Sequence, residues 1–150
     1  MIGFMSVEVQ AEADFSRARR RAFFGQMAAR LRRECSRLLA FDEVKERPLA
    51  HNRRDLGLRD VDVSKIVGSL GRHEAFDRTF MPTKASLAER WMRVDTAFHR
   101  GLDLPAVRLY KLGNSYFVED GNHRVSVARY QGVETIEADV IEFFPLYGAP

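Results

Sequence analysis

From Pro105 the pattern of this chain changes period, and the alternation that begins there commits this part to a sheet. Val107, Leu109 and Lys111 alternate with Arg108 and Tyr110, the pattern of a strand with two unlike faces. Gly113-Asn114 is a two-residue hairpin signal, because both residue types accept positive φ. Tyr116-Phe117-Val118 then forms the return strand. Residues 122–131 take up helical spacing, with Val125, Ala128 and Tyr130 as core contacts and Gly132 as the stop. Between Thr135 and Phe143, Ile136, Ala138 and Val140 alternate against Glu137 and Asp139. Hairpin, helix and strand in that order predict a compact mixed α/β unit.

The N-terminal part has a different period. Residues 7–39 read as one helix without proline, with Gly25 its weak point. Phe23, Met27, Leu31, Cys35 and Leu38 fall on one stripe, widened by Phe24, Ala28 and Leu39. Arg17, Arg19, Arg20, Arg21, Arg30, Arg32, Arg33 and Arg37 supply the polar side. Such a helix cannot bury its own stripe and must pack on the rest of the chain or on a second copy. A short helix is expected from Phe41 to Glu46, stopped before Pro48. Residues 48–60 are polar and aperiodic and read as a linker. Val61, Val63, Ile66 and Val67 suggest a strand, and residues 68–72, with two glycines, a loop. A second helix follows Pro82, with Ser86 and Glu89 at capping-box spacing. Its expected buried face is Leu87, Trp91, Val94 and Phe98, and its stop is Gly101. The expected organisation is a helical segment over residues 1–47, a linker over 48–60 and an α/β domain over 61–150.

Charge and cysteine narrow the function classes. Residues 1–54 carry a net charge of +5 and residues 55–150 one of −2. The basic helix is therefore either a solvated face or an attraction for a polyanion such as DNA. With 45% hydrophobic and 30% charged residues, the chain has the balance of a folded protein and not of a disordered one. No apolar run approaches the ~20 residues of a membrane helix. The short apolar start lacks a basic n-region, so a cytoplasmic protein with no membrane partner is expected. The single cysteine, Cys35, has no partner for an internal disulfide and no ligand cluster around it. His51 and His99 show no metal spacing with another ligand in the sequence.

Chemistry concentrates at Val118-Glu119-Asp120-Gly121-Asn122-His123-Arg124, where a strand ends, a glycine turn follows and a helix begins. The first amides of a helix lack internal partners and, with the helix dipole, make an anion site. Gly121 is expected to let an oxygen approach the backbone without a Cβ in the way. The amides of Asn122 and His123 would cradle a phosphate, His123 would donate a hydrogen bond, and Arg124 would grip the anion bidentately. Asp120 and Glu119 place carboxylates at the rim, where a base or, at Asp120, a Mg²⁺ ligand is useful. On spacing alone a plainer reading stands beside this one. Asp-Gly is a common turn, Asn122 or Asp120 can be an N-cap, His123 a half-buried histidine and Arg124 a surface charge.

The stretch from Leu104 to Arg129, with the strand Val133 to Val140 after it, resembles the core of the ParB/sulfiredoxin superfamily. There a strand delivers an Asp-Gly-x-His-Arg or Gly-x-x-Arg motif to a helix that a further strand follows. Val63-Ser64-Lys65-Ile66-Val67 is similar to the opening strand of that family, and the likeness covers roughly residues 61–143. The resemblance implies a small mixed sheet with helices and a nucleotide, ATP/ADP or CTP with Mg²⁺, bound across the motif. It makes the loop ending in Arg72 a second nucleotide-facing segment, so that Arg72 closes over the ligand. Asn122 stands where sulfiredoxins carry their cysteine, which argues against peroxiredoxin repair. The Asp-Gly-His-His-Arg motif of the family's free serine kinases differs only at Asn122 and makes Asp120 a candidate catalytic carboxylate. The expected function is nucleotide or phosphate binding, with phosphotransfer from Mg-ATP or Mg-ADP as its enzymatic version. The alternatives are a nucleotide-sensing adaptor or partition regulator that contacts DNA through the basic helix, and a nuclease. A homodimer through the N-terminal helix is expected. Binding stands ahead of catalysis, because the sequence forces no second catalytic group.

Overall fold

The computed structural model describes residues 5–41, 51–71 and 74–145. The expected short helix at 41–46, Pro48 and Arg72 fall largely or wholly outside them. Among the described residues, three helices and six strands form an α/β fold around one mixed sheet.

Helix α1, Val7–Arg32, opens on Ser6, whose hydroxyl accepts the Val9 N–H at 3.2 Å. It ends at Arg33, a non-glycine residue at φ 56° whose N–H turns back to the carbonyls of Ala29 and Arg30. The helix therefore stops short of residue 39. Leu38 is fully buried, and Leu39–Ala40 form a short strand, β1. The buried face also differs from the expected stripe. Ala11, Asp14, Phe15, Ala18 and Ala22 face inward, while Phe23, Phe24, Met27 and Leu31 remain exposed. Alanines let helices approach closely but give little hydrophobic contrast, so the larger side chains on the far side dominate the pattern.

Residues 51–60, expected as linker, belong instead to β2, His51–Asp62. This strand pairs antiparallel with β6, Thr135–Pro145, across a bulge at Leu56. At the bulge the Gly57 N–H donates to Asp55 Oδ1 at 2.8 Å. A short 3₁₀ turn, Val63–Lys65, leads into β3, Ile66–Ser69, so that Gly68 and Ser69 lie in a strand and not in a loop. Gly68 is required there by packing: a Cβ on it would sit 2.2 Å from the Leu39 carbonyl oxygen and 2.7 Å from the Phe117 ring.

Helix α2, Ala88–His99, follows a 3₁₀ turn at Ala85–Leu87. The expected capping box does not form, since Leu87 occupies the N-cap and no side chain caps the helix. Leu87, Trp91 and Asp95 are its buried residues, whereas Phe98 is exposed. The remaining elements follow the expectation closely: β4, Val107–Leu112; β5, Ser115–Asp120; α3, Asn122–Gln131; then β6. The sheet order is β1-β3-β5-β4-β6-β2. The β1/β3, β3/β5 and β4/β6 pairs are parallel, while β4/β5 and β2/β6 are antiparallel.

One hydrophobic cluster joins Phe15, Ala18 and Ala22 of α1 to Trp91, Val125 and the sheet residues Val107, Leu109, Val118 and Val140. The N-terminal helix thus shares the core of the α/β unit. Phe41, Phe117, Tyr110 and Phe143 pack ring against ring, with Phe41 5.4 Å from Phe117. Phe117, Tyr110 and Phe143 occupy strand positions of opposite parity to Leu109, Val118 and Val140 and so, with Phe41 packed on them, cover the other face of the sheet. Trp91 sits at the centre, 5.6 Å from the Phe15 ring, and its indole N–H donates to Ser126 Oγ at 2.8 Å.

Candidate phosphate cleft at the start of α3

Strand β5 runs directly into the motif. Asp120 is its last residue, Gly121 turns the chain at φ 113°, and Asn122 begins α3. The N-cap is a glycine without a side-chain cap. The amides of Asn122, His123 and Arg124 therefore open the helix without intrahelical acceptors, as the first turn always does. The first internal bond runs from the Val125 N–H to the Gly121 carbonyl at 3.0 Å.

Asn122, His123 and Arg124 line a cleft of about 570 Å³. Its other wall is α2, which contributes Arg90, Arg93, Val94 and Ala97, and Gly71, Leu104 and Pro105 complete the rim. Arg90 and Arg93 were not anticipated. They stand three residues apart on one exposed side of α2, and only the packing of α2 on α3 brings them to the motif. Arg93 pairs with Glu89 at 3.0 Å on the same helix. Arg90 has no ion pair among the described residues.

The motif residues share the cleft, and several of their charged groups already have partners within the protein. Arg124 Nη1 donates to the carbonyls of Pro105 at 2.6 Å and Ala106 at 3.0 Å, and its Nη2 pairs with Asp120 at 3.2 Å. Its guanidinium is thus held as a tie between α3 and the start of β4. Asp120 is engaged by the same bond, and Glu119 pairs with Arg108 at 3.4 Å. Gly121 also serves packing more than ligand access. A Cβ there would point into the protein, 2.6 Å from Val107 Cγ1 and 3.1 Å from Arg124 Nη2. His123 is half-buried, with its ring edge-on to Phe76 at 5.3 Å. Asn122 Oδ1 is buried and meets no hydrogen-bond donor among the described residues. Arg72 lies outside them.

The fit to Mg²⁺ and a nucleotide can be judged from these groups. Asp120 is exposed and bonds Arg124 through Oδ2, which leaves Oδ1 for a Mg²⁺ that takes most of its ligands from water and phosphate. Asn122 Oδ1 is an acceptor, but it is buried, so a nucleoside hydrogen would reach it only after the side chain turned toward the cleft.

The basic cluster of α1 lies apart from the cleft lining. Arg17 is 3.8 Å from Asp14, and the Arg21 guanidinium lies over the Tyr130 ring at 5.5 Å. Among the described residues no helix is long and apolar enough to cross a membrane.

The chain is thus an α/β protein whose mixed sheet delivers an uncapped helix start to a cleft walled by arginines. Among solved structures it is similar to sulfiredoxin from Arabidopsis thaliana, at 19% identity and a TM-score of 0.36, over 55% of this chain and 82% of that one. No protein-family model matches the chain, and no curated protein matches it.

Proposed function

We propose that the cleft binds a phosphate-bearing ligand, a nucleotide in the first place, with its phosphate at the start of α3. The observation that carries this reading is the meeting of the glycine-capped first turn of α3 with Arg90 and Arg93 in one cleft. Amides and dipole favour an anion at that point, and two guanidinium groups on the facing wall add charge-assisted donors. The cations of the site are those of α2, with Arg124 as the support that holds the motif in place.

The proposal is binding and not turnover. Asp120 Oδ2 is held by Arg124 and Glu119 by Arg108, and the open Asp120 Oδ1 is the oxygen assigned to Mg²⁺. Phosphotransfer would require the ligand to release Asp120 from Arg124.

A thermal-shift panel tests the reading, using ATP, ADP, CTP, GTP and inorganic phosphate with Mg²⁺. A ligand that binds only the folded state raises the Tm. The wild type should respond to at least one nucleotide, and the Arg90→Ala/Arg93→Ala double variant should lose that response while keeping its own ligand-free Tm. Silence toward every nucleotide would sink the proposal.

A further inference from the structure

Away from the cleft, Asp14 of α1 meets Asp95 and His99 of α2. Each offers one ligand atom, and the three atoms lie within 4.8 Å of one another. His99 Nε2 is 2.8 Å from Asp14 Oδ2 and 3.4 Å from Asp95 Oδ2. Donors around one small tetrahedral ion, with bonds of about 2.0–2.1 Å, stand roughly 3.3 Å apart. The His99–Asp95 pair already has this spacing, and the His99–Asp14 pair, now at hydrogen-bond distance, would open by about 0.5 Å to admit the ion. Asp95 and His99 are one turn apart on α2 and so project to the same side.

Burial adds a second observation. Asp14 is 4% exposed and Asp95 0%. Asp95 Oδ1 accepts the Gln131 amide N–H at 2.8 Å, but Oδ2, the oxygen facing His99, is buried and meets no hydrogen-bond donor among the described residues. A buried carboxylate oxygen left without a partner is costly. The nearest fixed positive charge, Arg17, is 3.8 Å from Asp14 Oδ1, and its side chain is 64% exposed, so water screens it. Two buried carboxyl groups thus converge on His99, and among the described residues the only Lys or Arg paired with either of them is the exposed Arg17.

We propose that Asp14, Asp95 and His99 bind one divalent transition-metal ion, Zn²⁺ in the first place, which staples α1 to α2. Nitrogen and carboxylate donors together suit Zn²⁺ better than Mg²⁺ or Ca²⁺, which prefer all-oxygen shells. The outer shell is in place as well. Gln131 Nε2 also donates to Asp14 Oδ2 at 3.2 Å, and the Tyr130 hydroxyl donates to Asp14 Oδ1 at 3.3 Å. Such bonds orient ligating carboxylates. The His99 side chain is 17% exposed, which leaves a route for the ion and a water as fourth ligand. The site is separate from the phosphate cleft: it lies at the end of α3 where Gln131 sits, whereas the cleft lies at Asn122.

The test uses the full chain stripped with a chelator and titrated with Zn²⁺ and with Co²⁺, read by calorimetry, Tm and visible absorption. The expected result is one equivalent of Co²⁺ with the d–d bands of a four-coordinate nitrogen/oxygen site, displaced by Zn²⁺, and a rise in Tm with either ion. His99→Ala and Asp95→Asn should abolish the uptake, and Gln131→Leu should weaken it by about 10–100-fold. Cys35→Ser, which removes the exposed thiol, should leave it unchanged. Failure of the folded wild type to take up an equivalent of either ion overturns the proposal, as does uptake that survives both ligand substitutions. Should those variants not fold, X-ray absorption of the Co²⁺-loaded wild type decides. One imidazole among oxygen neighbours supports the site; sulfur, or oxygen alone, overturns it.

Discussion

At the scale of single residues, position in the sequence and role in the structure come apart. Asp120-Gly121-Asn122-His123-Arg124 was legible as a strand, a turn and a helix start, because each step has a local signature. The roles within it were not, because they depend on what lies across space. Arg124 is a case in point: the carbonyls that hold it belong to Pro105 and Ala106, and no local spacing announces them. Arg124→Ala should therefore lower stability by about 1.5–3 kcal/mol, the usual worth of hydrogen bonds made by a charged group, and urea unfolding measures it. Arg90→Ala and Arg93→Ala remove exposed side chains and should stay within about 0.5 kcal/mol of the wild type. Asp95 supports a second prediction, for the metal-free protein. Burial, and then the Asp14 carboxylate beside it, push Asp95 up to about 7 against the Gln131 hydrogen bond, from an ordinary value of 3.8. The unfolded chain releases this proton first as pH rises, so the group's contribution to stability falls from about pH 4 to about pH 7 and stays low above that. Asp14 acts in the opposite sense. Burial raises it, but hydrogen bonds with Asp95 and His99 together with the nearby His99 carry it below the usual carboxylate value. In chelator, Asp95→Asn should flatten the decline in stability across that window. An unchanged pH profile would contradict it.

At the scale of elements, patterning worked where an element has one wet face and one dry one. The hairpin at Gly113-Asn114, helix α3 and strand β6 all have this character, and their limits agree with the sequence to within a residue or two. It failed at β2, where most of the described side chains are exposed, so no alternation remained to be seen. It failed differently at α1, where small alanines make the buried face and large side chains the open one. Phe15→Ala should cost about 3–5 kcal/mol, the penalty of emptying a buried aromatic site. Phe23→Ala, on the exposed side, should cost no more than about 0.5 kcal/mol. Equal losses for the two would mean that the face carrying Phe23 is covered in solution.

At the scale of the whole molecule, the N-terminal helix, expected to pack either on the rest of the chain or on a second copy, enters the core of the α/β unit through Phe15, Ala18 and Ala22. Unfolding should accordingly be a single transition. Trp91, the sole tryptophan, lies where Phe15, Tyr130 and Ser126 meet, so its fluorescence reports the junction of all three helices. Fluorescence and far-UV circular dichroism should give coincident melting curves, and deletion of residues 1–33 should abolish the transition and not leave a smaller folded domain. An early fluorescence change with most ellipticity retained would show α1 undocking by itself.

The outermost position of β2 has one more consequence. A twelve-residue strand bordering a sheet exposes a row of unpaired amides and carbonyls, which is an invitation for another chain to add to it. Here that border carries Arg53, Arg54, Asp55, Arg59 and Asp60, and the bulge at Leu56 breaks its regularity. An incoming strand would have to bury those charges and match a broken ladder. The same polarity that made the segment resemble a tether in the sequence thus protects the folded protein from templated, fibril-like growth.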